Sequence, residues 1–386
     1  MLPENTDVLV VGAGPIGLAT AATLAGHGIL ATVVDQAPEG SNTSRAAVVH
    51  AYTLEVLDRI GAAAPLAAQG IHAPRFTVRD RDRTLVQVRF DDLPTRYPYA
   101  LMVAQPVTEA VLLDRLGTLG GAVLRPYRMV GLDLDSPVGS GGAVATFADG
   151  SAIRARYVVG ADGMRSTVRQ LAGIGFGGAG DEGESFTLAD VRIDSALPRD
   201  EVILFFSRAG MLVWAPLPDG PVRIVAAVAD PPELPDLGYV QALLDSRGPL
   251  RRRSTIHEVI WGSRFRVHHR VADRFRVGPV LLAGDAGHVH SPAGGQGMNL
   301  GLQDAVALGD ALAGVLAGGA ESALDSYAAD RIPVAREVVS FADRLTRLAT
   351  APPALRPVRN VALRGLSSVP AFRGALARRL SGLVYR

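Results

Sequence analysis

The 386-residue sequence predicts an α/β protein in which a Rossmann-like nucleotide-binding domain is interrupted by an antiparallel sheet and followed by a helical tail. Two observations support the nucleotide-binding part: a strand, glycine-rich turn and helix pattern opens the chain, and a similar pattern begins near residue 280. Between them, apolar and polar residues alternate as in antiparallel strands. The predicted organisation is a first nucleotide-binding segment at 1–176, with part of the substrate sheet near 71–104, a substrate domain at 177–271, a second nucleotide-binding segment at 272–345, and a helical tail at 346–386.

The first element is a short β-branched run at 7–11, which is typical of a strand buried on both faces. Gly12, Gly14 and Gly17 follow at the spacing of a dinucleotide-binding turn, and a helical pattern comes next. Glycine at these positions allows a tight turn and a close approach of the backbone to a pyrophosphate. The N-terminus of the following helix offers free N–H groups to the same anion.

A second strand is predicted at 31–34, and Asp35 follows it directly. A carboxylate at this point can accept hydrogen bonds from both ribose hydroxyls of an adenosine, and it disfavours a 2′-phosphate. The predicted ligand of this segment is therefore NAD or FAD rather than NADP.

The composition excludes several kinds of site. The chain has no cysteine and no lysine, and all 39 basic residues are arginine. Redox cysteine pairs, cysteine-ligated metal centres, Schiff-base lysines and Walker-type lysines are therefore excluded. A net charge of +1 provides no field for nucleic acid, and no apolar run has the length of a membrane span. We expect a cytoplasmic monomer or homodimer with no nucleic-acid or membrane partner and no metal.

Two more strand ends carry candidate ligand-binding residues. The segment "YVVGADGMRSTVRQLAG" predicts a strand that ends at Asp162, and "LLAGDAGHVHSPAGGQGMNLGLQDA" predicts one that ends at Gly284 and Asp285. The second is followed by a glycine-rich loop and a helical pattern. Three strand-end sites so far apart in sequence suggest one long ligand held at several points, and FAD is such a ligand.

Between about residues 6 and 345 the chain resembles the FAD-dependent aromatic hydroxylases, the single-component flavoprotein monooxygenases that include para-hydroxybenzoate, phenol and polyketide hydroxylases. The motifs "GAGPIG", "GADGMRSTVR" and "GDAGHVHSPAGGQGMNLGLQDA" carry the resemblance. It implies a GR2-type FAD-binding fold, non-covalent FAD, NAD(P)H as a transient co-substrate, and hydroxylation of an aromatic ring with O₂ through a flavin C4a-hydroperoxide. Many family members continue into a thioredoxin-like domain, which this sequence is expected to lack. Its Arg-rich tail from Pro352 is expected to pack on the body of the protein.

The resemblance also assigns roles to matching positions. Asp285 is expected to bind a ribityl hydroxyl, and the N–H groups at 297–299 are expected to face the flavin N1–C2=O edge. Pro292 is expected to lie beside the isoalloxazine and shape the pocket in front of it. The cofactor-binding residues implied in this way are Gly12, Gly14, Pro15, Ile16, Gly17, Asp35, Arg45, Ala46, Gln105, Val130, Asp162, Gly284, Asp285, Pro292, Gly295, Gly297, Met298 and Asn299.

The alternating strands between about 177 and 271 predict the sheet that roofs the flavin in this family. Phe206, Met211 and Trp214 are the pocket candidates, and Trp214 ranks first because it matches a pocket position of para-hydroxybenzoate hydroxylase. No paired Arg and Tyr for a substrate carboxylate is found there, which favours a larger apolar substrate such as a polycyclic, polyketide-like phenol. His50 is a candidate general base, although a lone histidine is more often structural. Arg165 is a candidate for holding the phosphates of NAD(P)H.

Other functions share these motifs. Antibiotic-inactivating monooxygenases that act on tetracyclines or rifamycins, and a Baeyer–Villiger outcome, stay open because they differ in pocket shape alone. A flavin-bound protein without catalysis is a further alternative. Flavin halogenases are excluded, since they need a lysine and a Trp-rich motif that this chain lacks.

Overall fold

The computed structural model describes residues 2–40, 46–134, 142–179, 185–292 and 294–386. The strands in these ranges are β1 (Asn5–Val11), β2 (Thr32–Val34), β3 (Val48–Val49), β4 (Ile71–Ala73), β5 (Arg75–Asp80), β6 (Arg83–Arg89), β7 (Ala100–Met102), β8 (Val123–Leu124), β9 (Met129–Asp133), β10 (Ala143–Phe147), β11 (Ala152–Gly160), β12 (Phe176–Ala179), β13 (Ser185–Asp194), β14 (Glu201–Ser207), β15 (Gly210–Pro216), β16 (Val222–Ala227), β17 (Thr255–Arg266), β18 (His269–Ala272), β19 (Arg276–Val277), β20 (Val280–Leu282) and β21 (His288–Val289).

The α-helices in the same ranges are α1 (Pro15–Gly26), α2 (Ala51–Asp58), α3 (Ala63–Ala67), α4 (Gln105–Thr118), α5 (Thr167–Leu171), α6 (Leu237–Arg247), α7 (Gly297–Leu316), α8 (Ser322–Ala349), α9 (Arg356–Ser367) and α10 (Pro370–Leu380). Short 3₁₀ turns lie at Gly284–Ala286, Pro353–Leu355 and Leu383–Tyr385. No helix in the described ranges combines the length and the apolar character that crossing a membrane would require.

The central sheet has β1 in its middle. The strand order is β19-β20-β11-β1-β2-β8, and the strands from β20 to β8 run parallel, whereas β9 and β10 extend β11 as an antiparallel meander. The run at 8–11 is buried because helices α1 and α7 pack against each other beside the sheet. The carboxyl ends of β1, β2, β11 and β20 therefore meet at one edge, where ligands bind in open α/β sheets.

Two glycines close the turn between β1 and α1. Gly12 has a φ of +102°, and a Cβ placed on it would lie 2.4 Å from the carbonyl oxygen of Ala161. A Cβ on Gly17 would lie 1.8 Å from the carbonyl oxygen of Gly12. The glycine spacing that predicts a nucleotide-binding turn is therefore also required by backbone packing between β1, α1 and β11.

The second layer, called here the substrate sheet, has the strand order β17-β13-β16-β15-β14-β5-β6. Its neighbours pair antiparallel except β14 and β5, which are parallel. Helix α6 packs on its outer face, and α9 and α10 pack on β6. The predicted fold class, a Rossmann-like domain with an inserted antiparallel sheet and a helical tail, is confirmed; the exact division of the chain at 176, 271 and 345 stays a prediction.

A buried carboxylate connects the second half of the central sheet to its helices. Asp304 on α7 is fully buried and accepts hydrogen bonds from Arg331 Nε on α8 and from His288 Nε2, each at 2.6 Å. The backbone N–H of Gly284 lies 3.2 Å from the same carboxylate. Burial alone would raise the pKa of Asp304, but Arg331 and His288 bring it below its usual value. The carboxylate therefore stays ionised and holds α7, α8 and the turn after β20 together.

Replacement of Asp304 by Asn leaves Arg331 buried without its counter-charge. We expect the free energy of unfolding to fall by about 3–5 kcal/mol, measured by urea unfolding followed by circular dichroism. The matched control is Asp310→Asn on the same helix, because Asp310 is partly exposed and pairs at the surface with His27 and Arg59. The control should lose no more than about 1 kcal/mol. Equal losses in the two variants would contradict the role assigned to Asp304.

Candidate active site

A cavity of about 940 Å³ lies between the carboxyl edge of the central sheet and the inner face of the substrate sheet. Its lining includes Gly12 and Gly14 after β1, Asp35 after β2, Asp162 after β11 and Asp285 after β20. Strands β14, β15 and β16 line the opposite side. The fold thus brings the strand-end motifs together in one space, which is at the large end of the range for small-molecule sites.

The N-terminus of α1 opens into this cavity. Gly14 is its N-cap residue and has an ordinary φ of −74°, and no side chain caps the helix. A Cβ on Gly14 would meet no atom of the described residues within 4 Å, although Gly14 lines the cavity. Glycine is therefore not required by the protein at this position, and the space that it leaves fits an anionic group held by the first N–H groups of the helix.

Asp35 lies at the edge of the same cradle. Its carboxylate accepts the N–H of Ala13 at 2.7 Å and the N–H of Ala37 at 2.8 Å, and Arg125 Nη1 lies 3.5 Å away. These bonds fix the carboxylate beside the glycine turn, while its oxygens retain lone pairs for ribose hydroxyls. The geometry fits the adenosine end of a dinucleotide.

Gln105 begins α4 and lines the cavity near Asp35. Its side-chain Nε2 donates to Glu109 Oε1 at 2.8 Å, and burial raises the pKa of that carboxyl. Glu109 also lines the cavity and is not among the residues predicted from the sequence. Its position four residues after Gln105 on a predicted helix was the available signal, because residues at that spacing share a helix face.

The strand end at Asp162 is linked to the strand end at Asp285. Asp162 accepts the hydroxyl of Ser166 at 2.5 Å and the N–H of Val168 at 3.1 Å, while burial raises its pKa. Arg169 is buried on α5 and donates to the carbonyl oxygens of Ala286 and Met164, each at 2.9 Å. This arginine joins the two motifs through backbone groups and does not itself line the cavity.

The loop before α7 is held by Asn299 and His50. The N–H of His50 donates to Asn299 Oδ1 at 2.7 Å, and Asn299 Nδ2 donates to the carbonyl oxygens of Val48 and Gly295 at 2.9 and 2.8 Å. His50 Nε2 lies 2.9 Å from the carbonyl oxygen of Gly294, so this nitrogen carries the proton. Burial lowers the pKa of His50 to about 4. His50 is therefore a weak base at neutral pH, and its contacts fit a loop-positioning role better than general-base catalysis.

Most of the predicted cofactor residues line the cavity. Those that line the cavity are Gly12, Gly14, Pro15, Ile16, Asp35, Ala46, Gln105, Asp162, Asp285, Pro292, Gly295, Gly297 and Met298. Gly17, Gly284 and Asn299 lie behind the lining, where Gly284 has a φ of +62° and packs on Ile16. Val130 is 43% exposed and lies outside the lining, whereas Met129 beside it contributes to it. Arg45 lies outside the described residues. The cofactor-binding roles stay predictions.

The prediction that Trp214 lines the substrate pocket is wrong. Side chains alternate along β15, so Met211, Val213 and Ala215 face the cavity and Trp214 faces away. Trp214 is fully buried beneath α6, in an apolar cluster with Val240 on that helix.

The role of Phe206 in the substrate pocket stays a prediction. Phe206 belongs to the inner apolar cluster but lies beyond the cavity lining, where the Arg359 guanidinium covers its ring at 4.7 Å from the centroid. Met211 is the pocket candidate that the structure places in the lining.

Arg223 on β16 is a cavity residue that sequence reasoning missed. It is 3% exposed, and its Nε and Nη2 donate to the two carboxylate oxygens of Asp190 at 2.7 Å each. Its Nη1 donates to the carbonyl oxygen of Ala46 at 2.9 Å. Arg223 therefore connects the substrate sheet to the segment that precedes β3. An arginine within the apolar stretch "PVRIVAAVAD" was the signal.

The lowered pKa values of His50 and His290 predict that the free energy of unfolding falls on mild acidification. Burial lowers the pKa of each to about 4, and both line the cavity. An unfolded chain binds protons on these groups below about pH 6.5, whereas the folded chain does not do so until about pH 4. We expect each histidine to lower the free energy of unfolding by up to about 1.4 kcal/mol per pH unit as the pH falls through this window.

Urea unfolding at pH 7, 6 and 5 measures this slope. In His290→Asn, the slope of the free energy of unfolding against pH should be smaller by the contribution of one histidine. A slope that is the same in wild type and His290→Asn would contradict the assignment.

Comparison with known proteins identifies the family. A family model described as "FAD binding domain" matches residues 5–342. The chain is 40% identical over 384 residues to 6-methylpretetramide 4-monooxygenase from Streptomyces rimosus. The aligned region covers 96% of this chain and 66% of that protein. The chain is 36% identical over 366 residues to rifampicin monooxygenase from Streptomyces venezuelae, covering 92% of this chain and 74% of that protein.

Among solved structures, anhydrotetracycline hydroxylase from Streptomyces rimosus superposes with a TM-score of 0.80 at 34% identity, covering 98% of this chain and 76% of that chain. This chain thus spans about two thirds to three quarters of the length of these proteins. In this chain, the cavity joins the nucleotide cradle to the substrate sheet. The chain belongs to the FAD-binding domain family, among the flavoprotein aromatic and polyketide monooxygenases.

Proposed function

We propose that this protein binds FAD non-covalently and uses NAD(P)H and O₂ to hydroxylate a large, apolar, phenolic substrate of the polycyclic polyketide type. The observation that carries the proposal is the continuity of the cavity, in which the nucleotide cradle opens directly into a chamber under the substrate sheet. Bound FAD supplies the electron transfer from NAD(P)H and the activation of O₂. The tasks left to the chain are binding, orientation and exclusion of water.

The cofactor half of the cavity offers two helix N-termini. Gly14 and Pro15 begin α1, and Gly297 and Met298 begin the 20-residue α7; all four residues line the cavity. Neither helix has a side-chain cap, so their first N–H groups are available to a ligand. The positive end of α1 suits the pyrophosphate, and that of α7 suits a ring edge that gains negative charge. Asp35 and Asp285 are suited to hydroxyl groups at the two ends of such a ligand.

The substrate half of the cavity is mainly apolar. Its lining side chains share a position on the inner face of the substrate sheet or on the small sheet beside it, and they include Phe76, Met102, Val202, Leu204, Met211, Val213, Ala215, Val225, Phe265 and Val267. The buried cation on this face, Arg223, is already paired with Asp190. Such a chamber favours aromatic rings over a substrate carboxylate, because burying an unpaired charge is costly.

Inactivation of an antibiotic is a second candidate function. The similarity to rifampicin monooxygenase favours it, and the size of the cavity accommodates either substrate class. The two functions share the FAD half and differ in what the chamber admits.

Gly14→Ala tests the FAD site without disturbing the fold. The added methyl meets no atom of the described part of the chain but occupies the cradle. We therefore expect FAD affinity to fall roughly tenfold or more, while the free energy of unfolding stays within about 0.5 kcal/mol. Binding is measured by titrating FAD into the apoprotein and following flavin fluorescence. Gly26→Ala, at the other end of α1, also meets no atom and is the control. Unchanged FAD affinity in Gly14→Ala would count against the cradle.

Activity is tested by NAD(P)H oxidation and by product mass. A holoenzyme incubated with one-ring and multi-ring phenols, rifampicin and tetracycline should add one oxygen atom to a multi-ring phenol faster than to 4-hydroxybenzoate. Faster oxygenation of rifampicin or tetracycline would transfer the assignment to antibiotic inactivation. If the protein binds FAD but forms no oxygenated product from any of these compounds, the proposed class of substrate is wrong.

A further inference from the structure

We infer that the C-terminal helix α10 forms a wall of the substrate chamber, and that Leu380 at its end sets the size of the aromatic substrate that the chamber admits. The inference rests on the proposed function and adds to it a specificity-determining residue. It also gives the tail a role in the site.

Leu380 lines the cavity from the end of α10, next to the loop that precedes α7. It is the last residue of α10, is 2% exposed and belongs to the cavity lining. A Cβ on Gly294 would lie 3.8 Å from Leu380 Cδ2, which places this side chain against the loop that precedes α7. Leu380 also shares one apolar cluster with the lining residues Leu204, Met211 and Phe265. The side chain therefore lies where the flavin loop and the apolar chamber meet.

The end of α10 is fastened at two points beside the cavity. Gln296, which is 3% exposed, donates through Nε2 to the carbonyl oxygen of Leu380 at 3.1 Å. The N–H of Tyr52 on α2 donates to the carbonyl oxygen of Ser381 at 3.1 Å. One bond comes from the residue before α7 and the other from the helix that follows His50. The backbone at 380–381 is therefore fixed with respect to both cofactor-side segments.

Helix α9 fixes the other end of this wall. Arg359 is buried and donates through Nη2 to the carbonyl oxygen of Phe206 at 3.1 Å, and through Nη1 to that of Leu348 at 3.0 Å. Asn360 donates to Asp80 at the end of β5 at 2.8 Å. The tail is thus hydrogen-bonded to β14 and β5 of the substrate sheet and to the end of α8. Its buried surface is continuous with the chamber.

Because the backbone of this wall is fixed, the volume of the Leu380 side chain determines how much space is left for a substrate. One methylene group more or less in a hydrophobic pocket changes discrimination by about 10–200-fold. Leu380→Ala enlarges the chamber beside the loop at 292–297, and Leu380→Trp reduces it. The two substitutions are therefore expected to shift the preferred ligand size in opposite directions.

The first test uses the absence of cysteine from the chain. In FAD-loaded Leu380→Cys, the introduced thiol is the single thiol of the protein and is reached through the cavity. The measured quantity is the rate of modification by N-ethylmaleimide divided by the rate with the larger N-(1-pyrenyl)maleimide. We expect this ratio to be at least tenfold higher for Leu380→Cys than for Ala375→Cys, which lies on the exposed face of α10. A ratio equal to that of Ala375→Cys, or no reaction with either reagent, would contradict the placement of Leu380 in the wall of the chamber. This result does not depend on any substrate.

The second test measures the dissociation constants of 2-naphthol and 1,8-dihydroxyanthraquinone by flavin fluorescence. We expect the ratio of the two constants to shift at least tenfold towards the larger ligand in Leu380→Ala and towards the smaller one in Leu380→Trp. Leu376→Ala, on α10 but outside the lining, should keep the wild-type ratio. Unchanged ratios with FAD retained would overturn the specificity role and leave the proposed function standing. If neither phenol binds to wild type, the proposed substrate class fails, and the specificity role fails with it.

Discussion

The ionised carboxylate of Asp304 is the interaction on which the second half of the site depends. It lies inside the protein, and Arg331, His288 and the N–H of Gly284 satisfy it from three different segments. A charge at such a depth is tolerated only when it is fully paired and hydrogen-bonded. Its satisfaction therefore requires α7, α8 and the turn after β20 to adopt one arrangement. That arrangement places Asp285 and the N-terminus of α7 at the same cavity.

The first half of the site depends on steric fit. Gly12 and Gly17 are in positions where a Cβ would meet backbone atoms, so the turn after β1 can close only with glycine. Gly14 differs, because the structure leaves space around it. The same motif thus contains glycines that the fold requires and one glycine, Gly14, that the packing of the described residues does not require. Distinguishing the two required the distances to neighbouring segments.

The chamber next to the cofactor half is built from distant parts of the chain. Strand β5 comes from the first segment and pairs with β14, and Leu380 at the end of α10 contributes to the same cavity lining. Arg223 on β16 links the substrate sheet to Ala46, and Gln296 links the loop before α7 to Leu380. Cofactor-side and substrate-side elements are therefore connected by hydrogen bonds as well as by the shared cavity. We therefore expect a change of side-chain volume in the chamber to alter the packing of the loop that precedes α7.

The sequence by itself determined the local elements. The strand, glycine turn and helix at 7–26, the acidic strand ends at Asp35, Asp162 and Asp285, and the family all followed from short-range patterns, since backbone sterics and helix geometry act within a few residues. Alternation also predicted the substrate sheet, but not which of its faces is turned to the cavity. Two faces of a buried strand are equally apolar, so Trp214 could be placed beneath α6 only by the packing of that helix. The position of Leu380 beside Gly294, 86 residues away in sequence, likewise depended on long-range contacts that no local pattern encodes.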